Sequence, residues 1–95
     1  MTQMSERHTA KVIGVTIGED SVSPDGVRIK VDRDQPVVLE IDAVAEGELH
    51  VHSTPEMEIE FPKGKSQVQF EIDKAGLVDV EDHGLDLLVV QLEVE

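Results

Sequence analysis

Apolar and polar residues alternate at every second position along most of this chain, in short runs separated by clusters of Gly, Pro, Asp and Ser. A β-branched run from Val12 to Ile17 ends at Gly18-Glu19-Asp20 and predicts a first strand. After the turn signal Ser23-Pro24-Asp25-Gly26, Val27, Ile29 and Val31 alternate with Arg28, Lys30 and Asp32, which predicts a second strand with one buried face. A polar turn, Asp32 to Pro36, leads into a third strand whose inward set is Val37, Leu39, Ile41 and Ala43. Leu49 and Val51 alternate with Glu48, His50 and His52 until Ser53-Thr54-Pro55, and Met57, Ile59 and Phe61 alternate with Glu56, Glu58 and Glu60 up to the turn Pro62-Lys63-Gly64-Lys65. Val68, Phe70 and Ile72 form the next inward set, and a shorter stretch centres on Val78 and Val80. The last strand turns Leu88, Val90, Leu92 and Val94 inward against Val89, Gln91, Glu93 and Glu95. About eight short strands and no sustained helical period make this an all-β antiparallel sandwich or barrel.

Composition narrows the picture. At 95 residues and 10.5 kDa the chain suits one domain. Residues 1–10 read as a flexible N-terminal segment and 11–95 as the domain. Val, Ile and Leu dominate the apolar set, with two Phe and no Trp or Tyr, so the core is aliphatic and suited to pleated sheet. The net charge of -13 repels phosphate backbones and anionic lipid headgroups, which argues against nucleic acid and membrane surfaces as partners and favours a monomer. Without cysteine there is no disulfide, no thiolate zinc site and no redox dithiol. No apolar run approaches the roughly 20 residues that cross a bilayer, and the first ten residues lack the apolar stretch of a signal peptide. A cytoplasmic protein is expected from the chain as it stands, or a cell-envelope or exported one where a leader has been removed.

Candidate chemistry is sparse. In a strand, His50 and His52 point to the same face with β-carbons roughly 7 Å apart, so the pair forms a two-toothed chelate for a metal ion. With Leu49 and Val51 in the core, the same two rings equally read as solvent-facing histidines without a ligand. Carboxylates nearby in sequence or fold, Glu48, Asp79, Glu81 and Asp82, favour protonated rings and the behaviour of a pH sensor. Glu56, Glu58 and Glu60 read as the solvated face of a strand that discourages edge association rather than as an acid and base pair. No calcium-loop spacing, G-x-S-x-G segment or glycine-rich phosphate loop is present, so an enzyme is not expected.

Three stretches, PDGVRIKVDRDQPVVLEI (24–41), ELHVHS (48–53) and FPKGKSQVQFEIDKAGLVDVEDHG (61–84), resemble cupredoxin-like domains of bacterial envelope proteins, including those attached to iron-uptake systems. The resemblance runs from about residue 12 to the end and implies a Greek-key β-sandwich of seven to eight strands. It places His50 or His52 at a ligand position on the histidine-bearing strand. Gly76, Val78 and Val80 fall on a glycine-led segment that ends in cysteine in the family; here that position is Asp82, followed by His83. Type 1 copper needs two histidines and a thiolate, so the missing sulfur excludes a blue-copper electron-transfer centre.

Under that topology His83 lies beside the end of the His50 strand as a third imidazole, with Glu81 or Asp82 available to complete a mixed nitrogen and oxygen site. Such a set suits Cu(II), Zn(II) or Ni(II) better than Ca(II) or Mg(II). Two functions follow: a domain that binds Cu(II) or another divalent ion through His50, His52 and His83, or a metal-free scaffold that meets a protein partner. His8 belongs to the N-terminal segment and has no assigned role.

Overall fold

The computed structural model describes residues 9–95, so His8 and most of the expected flexible segment 1–10 lie outside the described residues. Among the described residues nine strands form: β1 (Lys11–Ile17), β2 (Val22–Ser23), β3 (Val27–Val31), β4 (Val37–Ala43), β5 (Gly47–Val51), β6 (Met57–Phe61), β7 (Gly64–Phe70), β8 (Gly76–Asp82) and β9 (Leu87–Val94). They make two sheets, one in the order β2-β1-β4-β7 and the other in the order β3-β9-β8-β5-β6. Among the described residues there is no helix, and thus none long and apolar enough to cross a membrane.

The inner faces of the two sheets enclose one aliphatic cluster. Leu39 and Ile41 of β4, Leu49 and Val51 of β5, Val80 of β8 and Leu92 of β9 are among its most deeply buried members. Each is a position at which the alternation points inward, because a strand sends successive side chains to opposite faces.

The pairing is not purely antiparallel. β1 runs parallel to β4 and β3 parallel to β9, whereas all the other pairs are antiparallel. The parallel pairs arise because the chain leaves the first sheet after β2, crosses to the second for β3 and returns for β4. Gly26, at φ 73°, lies in that crossing and donates its N–H to the carbonyls of Leu88 and Val89, both at 3.0 Å.

Four local features depart from the alternation. Val22–Ser23 forms the two-residue strand β2 where the sequence shows only the approach to a turn, and it caps the end of β1. Val27 shares a face with its buried partner Val90 yet is 48% exposed, because β3 is an edge strand and the core is thin at its start. β7 begins at Gly64, earlier than the alternation from Gln67, since φ of 92° at this glycine lets the chain reverse directly after Lys63. In β9, Val80 pairs with Val90 but Glu81 pairs with Leu88, so Val89 is an extra residue in a β-bulge. Val89 and Val90 are therefore both buried, and Leu88 is not on the inward face assigned to it by simple alternation.

The ring of Phe61 covers Gly47, its cross-strand partner at the start of β5. A β-carbon added at Gly47 would lie 2.6 Å from Cζ of Phe61, closer than van der Waals contact permits. Gly47→Ala is expected to lower stability by about 1–3 kcal/mol through overpacking. Urea denaturation checks this, and Phe61→Leu in the same chain should recover part of the loss.

Candidate metal site on the outer face of the five-stranded sheet

Burial of Leu49 and Val51 sends Glu48 and His50 to the outer face of the second sheet, and His52 follows just beyond β5. On the neighbouring strands His50 is flanked by Glu58 of β6 and Glu81 of β8, while Glu48 stands opposite Glu60. The N–H of His83 donates to the carbonyl of Glu48 at 2.9 Å, which carries the β5 and β8 pairing one residue past Leu49 and Asp82. That hydrogen bond brings the His83 ring over His50: the rings stack with centroids 4.5 Å apart and planes 19° from parallel.

The turn presenting His83 is held by Asp82. This residue is 4% exposed and points inward, where its Oδ1 accepts the N–H of Leu85 at 2.8 Å and its carbonyl accepts that of Asp86 at 2.8 Å. Its carboxylate is thus on the face of the sheet opposite the histidines and is engaged in the turn.

Ligand atoms of Glu48, His50 and His83 all lie within 4.8 Å of one another. Nε2 of His50 is shielded from solvent and has no hydrogen-bond partner; Oε1 of Glu48 at 3.4 Å and Oε2 of Glu58 at 3.7 Å approach it without hydrogen-bond geometry. A buried nitrogen left in this way costs about 1–3 kcal/mol. Donors about 2 Å from a shared ion stand no more than roughly 4 Å apart, so the group has to contract by under about 1 Å to close on one. The in-plane lone pairs of the stacked rings run nearly parallel, so closing on one ion also requires the exposed His83 to turn its ring out of the stack, and the half-buried Glu48 to follow. The donor set therefore fits a borderline divalent cation.

His52 has a different environment. Its Nδ1 lies 2.9 Å from Oε2 of Glu56 and its Nε2 2.7 Å from Oε1 of Glu81. Both nitrogens act as donors in the protonated ring, and the hydrogen bonds to Glu56 and then Glu81 raise its pKa above the ordinary imidazole value. Its ring is 6.0 Å from that of His50, edge to face. The structure thus gathers His50, His52 and His83 on one face, but the close donor group is His50 and His83 with Glu48. Glu81 is taken up by His52. Only cross-strand register distinguishes Glu48 from the other acids, and sequence alternation gives no sign of it beyond the face it occupies.

No protein-family model matches the sequence, and no curated protein does either. Among solved structures, a mutant of amicyanin in its reduced Cu(I) form at pH 4 superposes with a TM-score of 0.65 at 13% identity, covering 88% of this chain and 82% of that one. The novel purple cupredoxin from Nitrosopumilus maritimus superposes with a TM-score of 0.58 at 10% identity, over 87% of this chain and 99% of its own. The fold is cupredoxin-like. This cupredoxin-like sandwich has no cysteine, and His50, His52 and His83 gather outside the five-stranded sheet.

The His52 pair of ion contacts has a definite pH signature. A folded-state pKa raised above the unfolded value stabilises the fold fully below the ordinary imidazole pKa, and that contribution disappears as pH rises through the raised value. The stability gap between the native chain and His52→Gln should therefore be wider at about pH 6 than at about pH 9. Denaturant titration at the two pH values measures it, and equal gaps would mean that the clamp is not ionic.

Proposed function

We propose that this cupredoxin-like domain binds a divalent cation of the Cu(II) or Zn(II) type on the outer face of its five-stranded sheet, for storage, delivery or sensing. His50, His83 and Glu48 are the ligands, and His52 steadies the surrounding carboxylates. The observation that carries this function is the shielded Nε2 of His50 without a hydrogen-bond partner, in a residue whose ligand atom lies within 4.8 Å of those of Glu48 and His83. When bound, the ion supplies the positive charge that this nitrogen and the carboxylates lack.

Electrostatics supports the same assignment. Glu48 faces Glu60 directly across the β5 and β6 pair, and like charges so placed are destabilising. Glu58 and Glu81 flank the next row. Arg28 and Lys30 stand on β3, with β9 and β8 between them and β5, and Arg28 is engaged by Gln91 at 2.9 Å. A cation at the histidines thus enters a strongly negative field. Two imidazoles and a carboxylate match borderline cations, whereas Ca(II) and Mg(II) favour oxygen-only shells.

Calorimetric titration of the metal-stripped chain with Cu(II) and with Zn(II) should show stoichiometric binding. His50→Ala, His83→Ala and Glu48→Gln should each weaken it by about tenfold or more, equivalent to about 1.4 kcal/mol. His52→Gln should weaken it less, because its nitrogens are already committed to Glu56 and Glu81. No binding, or binding indifferent to the first three substitutions, would instead favour a metal-free scaffold that meets a basic partner through its acidic face.

A further inference from the structure

We infer that two copies of this chain associate through the free edge of β7, which pairs antiparallel with itself about Val68 to join the two four-stranded sheets into one. The inference is independent of the histidine face. Its basis is a row of side chains along β7 whose charges complement themselves under a two-fold rotation.

Each sheet ends in two edge strands, β2 and β7 in the first and β3 and β6 in the second. An unpaired edge is a template for another strand, and proteins guard such edges by keeping them short or by lining them with like charges. Three of the four edges here are guarded in these ways. β2 is two residues long. β6 carries Glu58 and Glu60 on its exposed row, and β3 carries Arg28 and Lys30, so a second copy meeting either strand sets like charge against like. β7 differs from all three. It is seven residues long and keeps an unbroken register with β4, and among the described residues no backbone hydrogen bond reaches its other side.

Along the exposed row of β7 and just beyond its ends the chain reads Lys63, Lys65, Gln67, Gln69, Glu71 and Asp73. A two-fold rotation about Val68 lays this row on itself in reverse. Lys65 then meets the partner's Glu71, Gln67 meets the partner's Gln69, and Lys63 stands by the partner's Asp73. Centring the pair on Gln67 keeps only Lys63 against Glu71, and centring it on Gln69 keeps only Lys65 against Asp73. Parallel pairing in register sets lysine beside lysine. The pattern thus selects one direction and one register, as cross-strand charge pairs do. On the other row Val68, which packs against the core cluster, meets its own copy and carries the apolar layer across the junction.

Acids outnumber bases 21 to 8 in this chain, yet among the described residues Lys63, Lys65 and Glu71 make no ion pair. Asp73 lies 3.7 Å from Lys74, so the inner rung of Lys65 and Glu71 is the stronger one. The net charge of -13 opposes any self-association. At physiological ionic strength that repulsion is screened beyond about 8 Å, whereas directly opposed β-carbons stand only about 5 Å apart. The contact is isologous and uses up the edge, so assembly stops at two copies. The two-fold axis of such a pair is perpendicular to the sheet, and both histidine faces therefore look to the same side of the dimer.

Sedimentation velocity of the whole 95-residue chain tests this. Raising the concentration from about 1 μM to about 1 mM should convert monomer to dimer without larger species. Lys65→Glu and Glu71→Lys should each weaken the dimer by about tenfold or more. The second of these makes the chain less acidic, so an association limited only by overall repulsion would tighten instead. An equimolar mixture of the two variants should recover the dimer, because each altered side chain then meets its opposite in the partner. A chain that stays monomeric throughout, a dimer indifferent to both substitutions, or a mixture no tighter than its components would overturn the inference.

Discussion

The polar groups that β5 brings to the candidate site are where they are because Leu49 and Val51 are fully buried in the sandwich. A strand has two faces and a period of two, so burying those side chains leaves no choice for Glu48, His50 and His52. Moving the register by one residue would put two imidazoles and a carboxylate into an aliphatic core that contains no partner for them. The hydrophobic effect thus positions the histidine-bearing face without any contact being made to it. Phe61 over Gly47 and the pairing of β5 between β6 and β8 then fix the position of this strand in the sheet.

The same face is also where charge is least balanced. Four neighbouring glutamates, on β5, β6 and β8, surround His50, and the net charge of the chain adds to their repulsion. His50 of β5 and His52 just beyond it answer it differently. His52 is clamped by two carboxylates that raise its pKa, whereas His50 has approached its carboxylates without bonding to them. One imidazole is satisfied within the protein and the other is left with a nitrogen that has no hydrogen-bond partner, two residues apart in the chain.

The alternation made the inward sets of β4, β5 and β8 legible from the amino acids alone, along with the all-β class and the outward direction of the H-x-H pair. Features created by pairing over long sequence distances were not. The extra residue at Val89 depends on how β9 meets β8, and β2 exists because β1 offers it an edge. The choice of Glu48 over Glu81 as companion to His50 likewise turns on which strand stands beside β5. Glu81 reaches His52 across 29 positions of sequence. Asp82 gave no hint of its inward direction either, since a carboxylate at the end of a strand is ordinarily read as exposed, and its hydrogen bond to Leu85 only becomes apparent once the turn is formed.

Asp82 has a consequence for what this scaffold can become. It occupies the position where the family resemblance places cysteine, and it looks into the sandwich while His50 looks out. A thiol exchanged for that carboxylate would be separated from the imidazoles by the thickness of the backbone layer. The carboxyl group that secures the His83 turn would be removed in the same step. Sulfur and imidazole are thus partitioned between two sides of one sheet, and a passage between this arrangement and a sulfur-ligated copper centre has to relocate the histidines as well as supply the sulfur.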